Sequence, residues 1–325
     1  MHPILALALL AALSAPSPPD APLTFEVRVL VGNFVPGAQP DGNTVVFRAP
    51  AGLVVVDTGR HEAHAQRVLD LARRLGAPVA VVVNTHWHLD HVSGNPIIRR
   101  AFPAVEVVGS RAIDEALAGF LATYRSQLVD VIGKTRDPAA RDRYMDEVAR
   151  IDAGRALAPD RVIEAGGQGV LAGRSVEVGL ERHAVTAADV WVFDRPSGIL
   201  AAGDLVTLPA PLLDTACPRG WNGALAQLSG IPFLLLVPGH GRPMSREEFE
   251  RYRAGFDHLV ACAETDQPGR ACIDGWLRDL GPLVPESDQT FARDLLAYYV
   301  QDVLRAPPER VARLCGKEPR TGTVR

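Results

Sequence analysis

From Asn84 to Asn95 the chain reads NTHWHLDHVSGN, and residues 86–91 place three imidazoles and a carboxylate close together: His86, His88, Asp90 and His91. Imidazole nitrogen and carboxylate oxygen form a donor set that suits zinc and other first-row metals. A structural histidine needs one hydrogen bond, which does not explain three within six residues. Histidine clusters also occur on solvated loops, but the spacing here points to metal. In a turn that follows a strand, His86 and His88 converge on one point, while Asp90 and His91 face a second point nearby. Two adjacent metal ions follow from that arrangement, and such a pair activates water for attack on a polarised centre.

The elements that must hold these residues can be read around them. The apolar run 79–83 is a buried strand that stops abruptly at Asn84. Residues 25–31 alternate apolar and polar side chains, and 44–47 and 53–56 are further short strands separated by Gly, Pro and Asp. The run 53–56 leads into Asp57-Thr58-Gly59, where a carboxylate at a strand end is placed to orient a metal-binding histidine. Turn chemistry alone also accounts for such an aspartate. Apolar residues recur at helical spacing over 60–75, stopped by Gly76 and Pro78; His61 and His64 near its start read as solvated helix residues outside the site. A second β half is expected over 175–181, 190–193 and 199–202, the last leading into Gly203-Asp204. After the apolar run 233–237 comes Pro238-Gly239-His240-Gly241, whose glycines let the backbone pass close to a ligand.

H-x-H-x-D-H after a strand resembles the signature of the metallo-β-lactamase-fold hydrolase superfamily, and the order of the later Asp and His turns is similar too. The resemblance covers about residues 25 to 260. It implies an α+β fold, a four-layer αββα sandwich in which two mixed sheets lie face to face with helices outside and metals at one edge. It puts the Asp-x-Gly turn beneath the metals, makes Asp204 a bridging ligand and His240 the last ligand, and implies Zn2+, two per chain. The implied reaction is attack by metal-activated hydroxide on an ester, thioester, lactone or amide-type bond, with Asp90 binding the second metal and holding the nucleophile in line. Asp204, where true β-lactamases carry cysteine, is more like the thioesterase, lactonase and general hydrolase branches.

One expected ligand departs from the pattern. The family has a histidine before a Thr-x-Gly-Asp segment, and aligning Thr186 with that threonine puts Val185 at the ligand position. His183 lies two residues earlier, on the same face of an extended strand and ~6.6 Å back along it. The expected metal ligands are therefore His86, His88, Asp90, His91, His183, Asp204 and His240, with His183 as ligand or as a bystander both open. Two other readings stay open with it: a mononuclear iron oxidoreductase of sulfur compounds, and a non-catalytic metal-binding protein damaged at Val185. Trp87 and the segment 209–221, with Asp214, Cys217 and Arg219, could line the substrate pocket or simply pack.

The remainder sets bounds. The 325-residue chain is long enough for one large domain with an appendage, and its net charge of −4 offers no basic footprint for nucleic acid, so a small-molecule substrate is expected. The stretch Ile4 to Leu13 is apolar, too short to span a bilayer and followed by small residues and prolines, which reads as a secretory signal with a cut after Ser14. Residues 1–22 are thus expected to be signal and linker, 23–260 the hydrolase domain and 261–325 a helical C-terminal appendage. The protein is expected in the periplasm or secreted, without stable membrane insertion, and the oligomeric state stays open. Cys217, Cys262, Cys272 and Cys315 permit two disulfides in three connectivities; Cys262 and Cys272 flank a loop, and Cys217 with Cys315 is what remains. Helices are expected from Asn95 to Arg100, through 110–150 with a break at Asp137-Pro138, from a capping box at Ser245 and Glu248 to about Cys262, and over 274–280 and 288–304.

Overall fold

The computed structural model describes residues 21–22, 26–33 and 39–316. Most of the expected signal segment therefore lies outside the described residues. The described chain forms two compact units, one of the residues up to Leu180 with Val190–Ser197, the other of Glu181–Asp189 with those from Gly198 onward.

The first sheet runs in sequence order: β1 (Ala21–Pro22), β2 (Val27–Leu30), β3 (Thr44–Ala49), β4 (Gly52–Val56), β5 (Val79–Val83), β6 (Glu106–Gly109) and β7 (Arg161–Val162). Pairing is antiparallel from β1 to β4 and parallel from β4 to β7. A parallel pair needs a crossover. Helix α1 (Glu62–Leu75) supplies the first, α2 (Leu89–Val92) and α3 (Asn95–Ala101) the second, and α4 (Ala112–Ala118), α5 (Phe120–Lys134) and α6 (Pro138–Asp152) the third. Helix α1 stops where expected: Gly76 takes the left-handed conformation at φ 62° and its N–H reaches Ala72 O. The Asp137-Pro138 break is a cap, since the Asp137 carboxylate accepts from the N–H groups of Ala139 and Ala140 and Pro138 opens α6. Leu30, Val46, Leu53 and Val55 of the strands pack with Val68, Leu71 and Ala72 of α1 and Ile98 of α3 in one buried cluster.

The second sheet contains β8 (Gly167–Leu171), β9 (Arg174–Arg182), β10 (Ala188–Asp194), β11 (Ile199–Thr207), β12 (Leu235–His240) and β13 (Met244–Ser245), in the order β13-β12-β11-β10-β9-β8. Within the second unit β11 and β12 are parallel, and α7 (Pro218–Ser229) lies in their crossover. Sequence reading took 209–221 as a segment that lines the pocket or packs and named no helix after it, although α7 buries an apolar stripe of Trp221, Ala224, Leu225 and Leu228.

Ser245 and Glu248 form the expected capping box, and α8 (Arg246–Ala263) runs from it past residue 260. Helices α9 (Gly269–Leu280), α10 (Glu286–Tyr299) and α11 (Pro308–Leu314) follow, so the expected helical C-terminal region is present. It is tied to the residues before α7 at three points. Trp276 Nε1 donates to Pro209 O at 3.0 Å, Tyr299 Oη donates to Asp214 Oδ2 at 2.6 Å, and Cys315 is bonded to Cys217. Cys262 and Cys272 form the second disulfide. Asp214 and Cys217 thus hold structure at the place where they were candidates for a pocket lining. No helix among the described residues is long and apolar enough to cross a membrane.

Candidate metal centre

In the first unit the site follows from strand register. Parallel pairing sets Val56 against Val83, so the residues that leave β4 and β5 emerge side by side. Asp57 takes a positive φ of 62°, an uncommon conformation for a side-chain-bearing residue, and turns its carboxylate onto the segment that follows β5. There it accepts from Thr85 N at 2.8 Å, from Thr85 Oγ1 at 2.7 Å and from His91 Nδ1 at 2.8 Å. Thr85 Oγ1 also lies 2.9 Å from His86 Nδ1.

These contacts determine tautomers. The Thr85 hydroxyl has one proton and gives it to Asp57, so His86 Nδ1 must carry the hydrogen it shares with Thr85 Oγ1. His91 Nδ1 carries the hydrogen it gives to Asp57. In both rings Nε2 is then the basic nitrogen, the form in which imidazole binds metal. His86 and His91 are buried with ring centroids 4.2 Å apart, and His88, half-buried at the start of α2, stands 4.5 Å from His86.

Asp90 and His91 sit in the single turn of α2. His91 Nε2 lies 3.6 Å from Asp90 Oδ2, too far for a hydrogen bond. Two donors bound to one tetrahedral zinc at about 2.1 Å would lie about 3.4 Å apart, close to that spacing. The backbone is shaped to the rings. A Cβ on Gly42 would stand 2.4 Å from the His91 imidazole, and Gly42 N instead donates to Asp90 O at 3.0 Å. Asn84 and Asn95 exchange side-chain hydrogen bonds, and Asn84 also holds the carbonyl of His91.

Arg60 grips the other face of Asp90. Its guanidinium is 3.4 Å from Asp90 Oδ1, pairs with Glu147 of α6 and is 9 % exposed. Burial pulls its pKa down, but Glu147 and then Asp90 outweigh that and hold it above the ordinary arginine value. Sequence reading missed this pair. Arg60 directly after the Asp-x-Gly turn was a usable signal, while Glu147 is one acid among many on a mixed-charge helix and gave none. His64 was expected to be solvated and is instead buried, its Nε2 2.8 Å from Thr44 Oγ1; burial lowers its pKa from 6.5 to about 4.

The second unit presents its own pair. Register sets Gly203 against Pro238 and Thr207 against His240, with shifts on both sides of Gly203, so Asp204 lies in an irregular stretch within β11 and not beyond its end. Asp204 Oδ1 stands 3.6 Å from His240 Nε2, the same spacing as in the Asp90 and His91 pair. Gly239 has no alternative here, because a Cβ on it would meet Asp204 Oδ1 at 1.9 Å. Both side chains are buried.

His183 is placed differently. It has a positive φ of 53°, and its ring lies where a Cβ on Gly316 would be 2.7 Å from Cε1, beside the Cys217–Cys315 disulfide. Val185 is fully buried, and its carbonyl accepts from Thr215 Oγ1 at 3.0 Å. Asp189 accepts from the N–H and hydroxyl of Thr186 and closes the turn between β9 and β10. Among the described residues, the buried side chains that could hold a metal ion are His86, Asp90 and His91 in one unit and Asp204 and His240 in the other.

The family description "Metallo-beta-lactamase superfamily" matches residues 39–245. The chain belongs to the metallo-β-lactamase superfamily. Solved structures agree on the fold: a metallo-β-lactamase from Pontibacter korlensis covers 73% of this chain and 98% of its own at a TM-score of 0.54 and 22% identity. A double mutant of a sec-alkyl sulfatase covers 86% of this chain and 49% of its own at a TM-score of 0.56 and 17% identity. The expected α+β metallo-β-lactamase fold, with two mixed sheets and helices, is therefore present.

Curated relatives are similar over shorter stretches. A linear primary-alkylsulfatase of Pseudomonas sp. is 25% identical over 228 residues, 62% of this chain and 42% of its own. An atrochrysone carboxyl ACP thioesterase of Aspergillus fumigatus is 39% identical over 90 residues, 27% of each chain. A hydroxyacylglutathione hydrolase of Gloeobacter violaceus is 43% identical over 49 residues, 15% of this chain and 19% of its own. This chain thus spans less than half the length of the curated relatives it matches. The metallo-β-lactamase superfamily is one of metal-dependent hydrolases, and Asp57 and Thr85 orient two histidines of the H-x-H-x-D-H segment, His86 and His91.

Proposed function

We propose that the chain is a zinc-dependent hydrolase of small-molecule esters or thioesters, with a metal centre built from His86, His88, Asp90, His91, Asp204 and His240. The observation that carries this reading is the pair of like spacings. Asp90 with His91, and Asp204 with His240, each hold a carboxylate oxygen and an Nε2 at 3.6 Å, as donors to a common tetrahedral ion would stand. Zinc bound there would polarise the scissile carbonyl and activate water at neutral pH.

The residues of the chain do the rest. Asp57 and Thr85 keep His86 and His91 in the tautomer that offers Nε2. Arg60 holds Asp90 Oδ1, which keeps Oδ2 turned towards His91 Nε2 as a donor to the ion. His183 is not needed in this reading. The His86 and His88 side then lacks a third imidazole, so it holds its ion less firmly than a complete ligand set would.

Two of the relatives are named as a carboxyl ACP thioesterase and a hydroxyacylglutathione hydrolase and a third as an alkylsulfatase, which supports hydrolysis of an ester-type bond. We further propose that the protein works after export: two disulfides, leaving no free cysteine, suit an oxidising compartment.

Elemental analysis of protein purified without added metal, with turnover of p-nitrophenyl esters, tests the reading. Zinc at one to two per chain with ester hydrolysis supports it. A single iron without hydrolysis would transfer the chain to oxidoreductase chemistry, and a weakly held zinc without hydrolysis would make it a metal-binding protein.

A further inference from the structure

A row of aromatic rings leads away from the histidines within the first unit. His91, His86 and His88 are in ring contact; Trp87 stands edge-on to His88 at 4.6 Å, Phe120 lies 5.0 Å from Trp87, and Tyr124 lies 6.4 Å from Phe120. The last two belong to the first turns of α5. There the chain bends at Gly119, between α4 and α5, and an open groove of about 520 Å³ lies over residues 118–127. Ala118, Phe120, Ala122 and Tyr124 give it apolar surface, Thr123, Ser126 and Gln127 add neutral polar groups, and no charged side chain lines it.

Phe120 is 45 % exposed although Trp87 beneath it is buried. A large ring left in water next to a buried one keeps an apolar contact surface available beside residues 118–127. The Tyr124 phenol does not add charge to this surface. Burial and then Glu147 push its pKa up to about 12, so it is neutral at physiological pH.

We propose that Trp87, Phe120 and Tyr124 form a subsite for an aliphatic chain on the acyl side of the substrate, and that this subsite makes the enzyme select medium-length acyl esters and thioesters over acetyl ones. The inference rests on the hydrolase reading for its substrate class and on the aromatic row and groove for its location. The chain runs along the rings, and its carbonyl end lies at the histidines. The uncharged lining offers a carboxylate or ammonium no charged partner, whereas an alkyl chain loses nothing against it.

The test is a series of p-nitrophenyl esters from acetate to octanoate. Each added methylene that enters the subsite should raise kcat/KM by up to about fourfold until the groove is filled. Phe120→Ala should lower the octanoate-to-acetate ratio of kcat/KM by about tenfold, and Phe120→Leu should restore most of it. A second measurement needs no turnover: chelator-stripped protein should bind 1-octanol and not ethanol, read by tryptophan fluorescence, and Phe120→Ala should weaken that binding. Hydrolysis with no dependence on chain length, together with no 1-octanol binding, overturns the subsite and leaves the hydrolase reading standing. Binding of 1-octanol that Phe120→Ala weakens, with no ester hydrolysed by the metal-loaded protein, leaves the subsite and removes the hydrolase reading. Binding that Phe120→Ala does not alter places the apolar site elsewhere and overturns the proposal.

Discussion

Asp57 Oδ2 accepts the Nδ1 hydrogen of His91 at 2.8 Å, and this one bond fixes which nitrogen of a buried imidazole is left to bind a metal. The same carboxylate takes the hydroxyl of Thr85, which in turn fixes His86. Asp57→Asn keeps the size but returns a donor or a neutral acceptor to both partners. Metal affinity should fall by about 10- to 100-fold, the usual effect of losing such a supporting hydrogen bond. Competition with a chromophoric chelator measures it; unchanged affinity would show that Asp57 does not set the tautomers.

The ion pair of Arg60 with Glu147 is buried, and removing Glu147 leaves the guanidinium with Asp90, 3.4 Å away, as its remaining carboxylate. Glu147→Gln should cost about 3 kcal/mol of stability, towards the lower end for a broken buried pair. Urea unfolding of the two proteins decides this. A loss within the range of a surface pair, about 1 kcal/mol or less, would mean that water reaches the guanidinium.

Much of the fold, and the first unit's part of the candidate site, could be read from the sequence for identifiable reasons. The proposed ligands of the first unit lie within six residues, and a strand with a sharp polar end positions them, so spacing alone points to the chemistry. Asp57 was legible because glycine two residues on marks the turn. Glu147 was not, since its meaning comes from Arg60, 87 residues away, and no local pattern carries that. Asp204 was recognised, but its place within β11 depends on a register shift at Gly203 that residue types do not reveal. His183 had the right chemistry two residues from the expected position. A positive φ turns that position, and its ring lies at Gly316, a neighbour brought there by a disulfide that sequence could name only as the remaining pair. Phe120 and Tyr124 read as ordinary helix residues, because the contact of Phe120 with Trp87 and of Tyr124 with Phe120 joins segments far apart in the chain.

His64 makes stability depend on pH. Its folded pKa of about 4 lies below the usual 6.5, so between those values the unfolded chain takes up a proton that the folded chain refuses. The sign follows: stability is full above pH 6.5 and is lost as pH falls towards 4, by up to roughly 3 kcal/mol. Denaturation midpoints at pH 7 and pH 5 should differ less in His64→Gln than in the wild type. An equal pH dependence in both proteins would assign the loss to other groups.

The two disulfides should contribute unequally. Cys217 and Cys315 close a separation of 98 residues, Cys262 and Cys272 one of 10. Chain-entropy reasoning gives about 4.7 kcal/mol for a loop of roughly 100 residues and about 3 for one of roughly 15. Cys315→Ser should therefore lower Tm more than Cys272→Ser does, and the reverse order in a thermal melt would contradict it.

The most direct test of the metal-hydrolase account is turnover of p-nitrophenyl octanoate by one preparation before chelation, after chelation and after zinc is returned, with elemental analysis at each stage. The account predicts hydrolysis that disappears with the metal, returns with zinc, and stays absent in His91→Ala and Asp90→Ala variants that remain folded. Hydrolysis at the original rate by protein shown to be metal-free would contradict it.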